Sequence, residues 1–320
     1  MPGDARTRRW FVAAGVAGLA APLAVAFAQK PPTVAVRVAA LPLTNFTPLL
    51  IARDKAWFAE ERLDVTWTMT TQGAVAVEAV LGGSAEFGAS GVLEPIVARA
   101  HGFDVSFTVA NCRVRSGPPD ASAIVVRQGD PIRGPADLAG KRVAFGLINS
   151  VNHIHAAAWL RKHGVDPKSL KLVELPLSTI GDALLNHQID AGWVVEPFLT
   201  MLMQSGKARV LANPYHVNIP GMDISAYVAK ESWLRTNGDT ARRFKRAMDR
   251  ATAFMKDSPY EERVAWVARF SGFRPELVQR MTLPVFTTEF DVESLQANVE
   301  LAAGQGLVKS FDVKTMVWRP

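Results

Sequence analysis

The side chains best placed to do chemistry in this chain are amides, hydroxyls and rings rather than charges. They sit in short loops: Leu43-Thr44-Asn45-Phe46, Thr71-Gln72-Gly73, Ser90-Gly91, Asn149 to His153, and Trp193 to Pro197. Loops of this kind suit a small ligand held by hydrogen bonds and ring contacts rather than by an ion pair alone. Asn45, Ser90 and Ser150 also suit helix capping, and the two roles are compatible, since a capped helix end still attracts an anion. Arg113 and Arg115 stand beyond a strand and would favour a carboxylate or sulfonate.

Catalytic arrangements are harder to build from these residues. His153 and His155 are two positions apart, about 200° around a helix, so they cannot chelate one metal. The chain carries no Gly-x-Ser-x-Gly elbow, no Walker loop and no cysteine-rich cluster. Glu196 stands at a strand-to-helix corner without an acid or base partner, which fits a binding or capping role better. Cys112 is the single cysteine and excludes a disulfide within the chain. Following the apolar pair Val109-Ala110, it reads as a strand-end residue more readily than as a nucleophile. No cofactor and no metal are expected. The net charge of +6 is spread without a block of like charges, so no nucleic-acid partner is expected either.

These loops need elements to hold them. Val36 to Leu41 reads as a strand, and Thr47-Pro48 opens a helix whose apolar stripe runs through Leu49, Ala52, Ala56 and Phe58. Leu63 to Met69 is a second strand, Gly73 opens a helix that Gly82-Gly83 closes, and Ala85 to Ala89 is a third strand. The order β-α-β-α-β-α implies a parallel sheet with helices on its faces. It returns about 105 residues later in Arg142 to Leu147, Leu170 to Leu175 and Ile189 to Val195. Leu81 to Gly88 even resembles Leu185 to Gly192 in texture.

The expected fold is therefore α/β, with two doubly wound lobes joined by a two-stranded hinge. Residues 33–123 form the first lobe, 124–221 the second, and 222–320 return to the first and add C-terminal helices. In such sheets ligands bind beyond the carboxyl ends of the strands, at helix N-termini. The first lobe would then offer Thr44, Asn45, Phe46, Gln72, Ser90 and Asn111. Ser150, Asn152, His153, Trp193 and Glu196 would answer from the second, and Asp223 from the hinge side.

The first residues carry an address. Arg6, Arg8 and Arg9 precede an uncharged run from Trp10 to Ala28 that ends in Ala26-Phe27-Ala28, a small-x-small cleavage pattern. Thr7-Arg8-Arg9-Trp10-Phe11-Val12 resembles the twin-arginine export signature. Residues 1–28 are thus expected to be a signal peptide handled by the Tat machinery, leaving a periplasmic, monomeric chain of charge about +4.

Several longer stretches resemble the NMT1/THI5-like and sulfonate/nitrate/taurine-type periplasmic binding proteins. They are Leu49 to Ala52, Lys55 to Glu61, Leu63-Asp64-Val65, Ala85 to Gly88, Asp137 to Ala144, and Ile189 to Phe198. The resemblance implies a type 2 periplasmic binding protein fold whose lobes close on a ligand and dock on an ABC permease at the inner membrane. It implies small ligands such as sulfonates, taurine, nitrate, aromatic acids or thiamine-precursor pyrimidines. Pyrimidine-synthesising enzymes share the fold but use a cysteine-rich motif, which one cysteine cannot supply. LysR-type regulators place a DNA-binding segment where this chain has the signal.

Overall fold

The computed structural model describes residues 32–320, so the expected signal peptide lies outside the described residues. Strand β1 (Val34–Ala40) buries Val36, Val38 and Ala40 on alternate positions. A 3-10 turn at Thr44–Phe46 leads into α1 (Thr47–Asp54), with Pro48 in its first turn. The stripe through Ala56 and Phe58 is not one helix. Ala56 turns left-handed (φ 59°), and α2 (Trp57–Glu60) starts afresh. The break aims Trp57 at Phe254 and stacks Phe58 on Phe244, contacts that a continued helix axis would redirect.

Strand β2 (Leu63–Met69) follows, then α3 (Gly73–Gly82), closed by Gly83 at φ 78°, where a side chain would be strained. Next come β3 (Phe87–Gly91), α4 (Leu93–Ala100) and β4 (Ser106–Arg113). The chain then crosses to β5 (Ser122–Arg127), β6 (Arg142–Phe145) and α5 (Val151–Lys162). Strand β7 (Lys171–Glu174), α6 (Ile180–Leu185), β8 (Ala191–Val195) and α7 (Phe198–Gln204) complete the repeat. Strand β9 (Ala208–Ala212) and α8 (Pro214–Asn218) precede the return crossing. Strand β10 (Asp223–Ala229) then enters, followed by α9 (Glu231–Asp257), α10 (Tyr260–Ser271) and α11 (Pro275–Val278). The short β11 (Val285–Phe286) and α12 (Val292–Ala303) finish the regular structure. No helix among the described residues is long and apolar enough to cross a membrane.

The strands form two sheets, ordered β11-β4-β10-β3-β1-β2 and β7-β6-β8-β5-β9. Strands β1, β2 and β3 run parallel, as do β6, β7 and β8, in agreement with the repeat. Both sheets are nevertheless mixed. Each takes in one inner antiparallel strand, β10 in the first and β5 in the second. Each of those strands follows directly on a crossing, so the chain makes its two crossings between 114 and 121 and between 219 and 222. Ser122 and Ala123 already pair in the second sheet, just before the boundary drawn from sequence.

Helix α12 packs against both α4 and α5, joining the two halves behind the crossings. The joint includes His155, which is fully buried. Its Nε2 lies 3.1 Å from Asn298 Oδ1, and Asn218 Nδ2 approaches its Nδ1 at 3.3 Å. This network fits the neutral Nε2–H tautomer, and burial pulls the imidazole down to about 4. An unfolded histidine titrates near ~6.5, so protons bind the unfolded chain more tightly. Stability present above that value is then lost as pH falls toward the folded one. His155→Gln is expected to remove about 2 kcal/mol of the loss between pH 7 and pH 5, measured as the urea midpoint at each pH.

Candidate functional site

A cleft of about 810 Å³ opens beyond the carboxyl ends of the strands, lined from both sheets. Its apolar walls include Leu43, Met69, Leu147, Leu177, Phe198 and Ile224. From the first sheet the turn after β1 supplies Thr44, Asn45 and Phe46, and the entry to α3 supplies Gln72. Phe46 is anchored edge-on against Tyr227, with ring centroids 5.8 Å apart. Asn45 Nδ2 donates to Ser225 Oγ at 2.8 Å, and Asn111 Nδ2 donates to the same oxygen at 3.0 Å. Ser225 lies where the β10–β4 register shifts twice, a bulge that re-aims a side chain next to a site. Cys112 Sγ is 3.2 Å from the same hydroxyl. Burial pushes that thiol up to about 12, which leaves it a weak nucleophile.

From the second sheet come Ser150 and Asn152 at the start of α5, Glu196 after β8, and Tyr215 on α8. Ser150 Oγ donates to Leu147 O at 2.7 Å, which shapes the loop rather than capping the helix. The Tyr215 hydroxyl donates to Asn152 Oδ1. Glu196 accepts from Thr200 N–H, Thr200 Oγ1 and Thr282 N–H, at 3.0, 2.8 and 3.1 Å. It therefore closes the start of α7 and also ties that helix to the segment before β11. Burial raises its carboxyl, and those three donors oppose the shift.

Five expected contacts lie elsewhere. Ser90 is fully buried and donates to the Gly91 carbonyl. Asn111 sits beneath the cleft lining, behind Ser225. His153 stands edge-on to Phe145 and accepts from Asn149 N–H. Trp193 belongs to the core, packed against Phe145 and Tyr215. Asp223 is buried between Arg113 (2.9 Å) and Asp291 N–H (2.6 Å), tying β10 to the start of α12. The reason is common to all five. Ser90, Asn111, Trp193 and Asp223 lie within β3, β4, β8 and β10 and His153 on α5, and each side chain is engaged by protein partners rather than facing the cleft.

The charged lining was not anticipated. Glu94, Asp120 and Glu174 face the cleft beside Tyr215 and Ser225. Glu94 lies three residues past Ser90-Gly91, so its placement in a helix first turn was the available signal. Arg113 lines the cleft but is paired with Asp223, and Arg115 is exposed and outside the lining. The guanidinium in the cleft lining is thus already engaged, while Arg115 acts from outside the lining, where its charge opposes the rise that burial imposes on the Asp120 carboxyl.

The family model described as "NMT1/THI5 like" matches residues 43–262. The chain belongs to the NMT1/THI5-like family. The match takes in the loops of both halves of the cleft. The taurine-binding periplasmic protein of Escherichia coli (strain K12) is 26% identical over 247 residues, 74% of each chain. A 4-amino-5-hydroxymethyl-2-methylpyrimidine phosphate synthase of Saccharomyces cerevisiae is 20% identical over 247 residues, 74% of this chain and 69% of its own. The solved alkanesulfonate-binding protein SsuA from Xanthomonas axonopodis pv. citri, bound to MOPS, superposes with a TM-score of 0.76 at 23% identity. That superposition covers 91% of this chain and 100% of the other. It shows the type 2 periplasmic binding protein fold.

Trp193 and its neighbours separate packing from binding. Trp193→Ala is expected to lower stability by about 3–5 kcal/mol by leaving a core cavity, read from urea unfolding. Trp193→Phe is expected to recover most of that loss.

Proposed function

We propose that the chain is the extracytoplasmic solute-binding component of an ABC importer. The observation that carries the reading is a cleft whose walls come from two sheets joined by two crossings. A solute touching both walls would favour the closed arrangement by its differential affinity for it. Membership of the family supports the reading, and so does the taurine-binding relative. The expected sites of action are the periplasm, after removal of residues 1–28, and a permease at the inner membrane. A monomeric chain exported by the Tat route completes the picture.

The family also contains synthases, so an exported enzyme on the same fold is the competing reading. The residues favour capture. The thiol of Cys112 is held protonated, and both oxygens of Glu196 are engaged by protein donors. Neither is poised as a nucleophile or base.

Two measurements test the proposal. A solute panel should contain a member that raises the unfolding free energy by about 2.7 kcal/mol at a hundredfold excess over its Kd. Mass spectrometry should then recover that solute unchanged, whereas its conversion to product would establish the enzyme reading. Tyr215→Phe removes the hydroxyl that orders Asn152, and is expected to weaken binding about 5- to 10-fold, the share of one hydrogen bond.

A further inference from the structure

The cleft is unevenly charged. Glu94, Asp120, Glu174 and Glu196 line it against one guanidinium, Arg113, which Asp223 already pairs. Three donors converge on Glu196, and Ile148 N–H reaches Glu174 at 3.0 Å. Glu94 Oε2 and Asp120 Oδ2 are different. Both are shielded from solvent and neither has a hydrogen-bond partner.

Asp120 is only 4% exposed, and its Oδ1 takes the Ala121 N–H at 2.7 Å. His216 Nε2 lies 3.4 Å from Oδ2 but is not aligned for a hydrogen bond. Burial holds that imidazole toward its neutral form. Glu94 comes from the first sheet's side and fills a space left by two glycines. A Cβ on Gly91 would lie 2.7 Å from its Oε2, and one on Gly73 3.3 Å from its Oε1. Gly73 opens α3, so the positive end of that helix, where an anionic ligand would be drawn, has the protein's own carboxylate beside it.

Tyr215 stands within reach of both acids. Burial first, then Asp120, then Glu94, push its phenol well above the usual range. Its hydroxyl is already given to Asn152. Unanswered polar atoms at this end of the cleft include the Ser122 hydroxyl, the His216 ring nitrogens and the Trp193 N–H, but the two from the acids are carboxyl oxygens, which accept hydrogen bonds and, when ionised, attract positive charge. An anionic head entering here would lose hydration and meet repulsion.

We propose that this cleft selects solutes with a cationic, hydrogen-bond-donating head, an ammonium or amidinium, received between Glu94 and Asp120 beside the Tyr215 ring. The apolar walls at Leu43, Leu147, Leu177 and Phe198 take the body of the solute. This rests on the solute-capture reading and adds the class of solute.

Calorimetric titration of the purified chain tests it with matched pairs: benzylammonium against phenylmethanesulfonate, and butylammonium against butanesulfonate. The ammonium member of each pair is expected to bind at least about tenfold more tightly. Glu94→Gln is expected to weaken that binding about 30-fold or more, as when one partner of a desolvated pair is removed. Asp120→Asn supplies a second, independent variant with the same expectation. Both unliganded variants should melt no lower than the parent, since each removes a buried carboxyl group whose ionised form burial disfavours. Tighter binding of the sulfonates would overturn the cationic assignment and leave solute capture standing. Ammonium binding unchanged in both variants, or no binding by either series, would overturn it as well. Conversion of a bound solute would instead overturn solute capture itself.

Discussion

Backbone pairing across the crossings is the constraint on which everything else in this molecule rests. An inner strand must find partners on both edges, because a buried N–H or C=O left unpaired is costly. In the first sheet the gap between β3 and β4 is filled by β10, and in the second the gap between β8 and β9 is filled by β5. Both filling strands arrive only after the chain has left the other sheet. The first half therefore cannot be completed by a contiguous segment, because β10 returns to it only after β5 to β9 have built the second, and the two halves share two crossings. Helix α12, with the buried His155–Asn298 contact, then joins the halves behind them.

The site inherits its character from that arrangement. Asp120 lies on one crossing, Tyr215 just before the other, and Ser225 just after it. Residues that shape the cleft are thus also residues that a change of lobe angle would move. Ser225 gathers Asn45, Asn111 and Cys112 at one point where the ladder is bulged. Glu196 connects the start of α7 to the segment before β11. Charge is handled in two ways here. Arg113 and Glu196 are satisfied within the protein, while Glu94 and Asp120 keep unanswered oxygens that only a rigid surrounding sheet can hold in place.

Much of the fold was legible because it depends on local pattern. The α3 helix runs from Gly73 to Gly82 as read, since its end requires a left-handed residue and Gly83 supplies one. The parallel strands followed from their apolar runs and spacing. The break at Ala56 was not legible, because an apolar stripe at helical spacing looks the same whether one helix or two short ones carry it. Trp193 was misplaced for a related reason. A ring beside a loop reads equally as a ligand contact or as core, and only its packing against Tyr215 and Phe145 decides.

The sequence by itself determined the α/β class, the internal repeat, the loops that face the cleft and the family, all properties of short stretches in order. Thr44, Asn45, Phe46, Gln72, Ser150, Asn152 and Glu196, expected from those loops, line the cleft. Tertiary structure alone decided the charge of the site. Arg113 lost its meaning as an anion trap when Asp223, 110 residues away, closed on it. Glu94, an ordinary first-turn acid in sequence, became a cleft residue because Gly73 and Gly91 left it room. Electrostatic character is set by distances between groups remote in the chain, and those distances exist only once the sheets have formed.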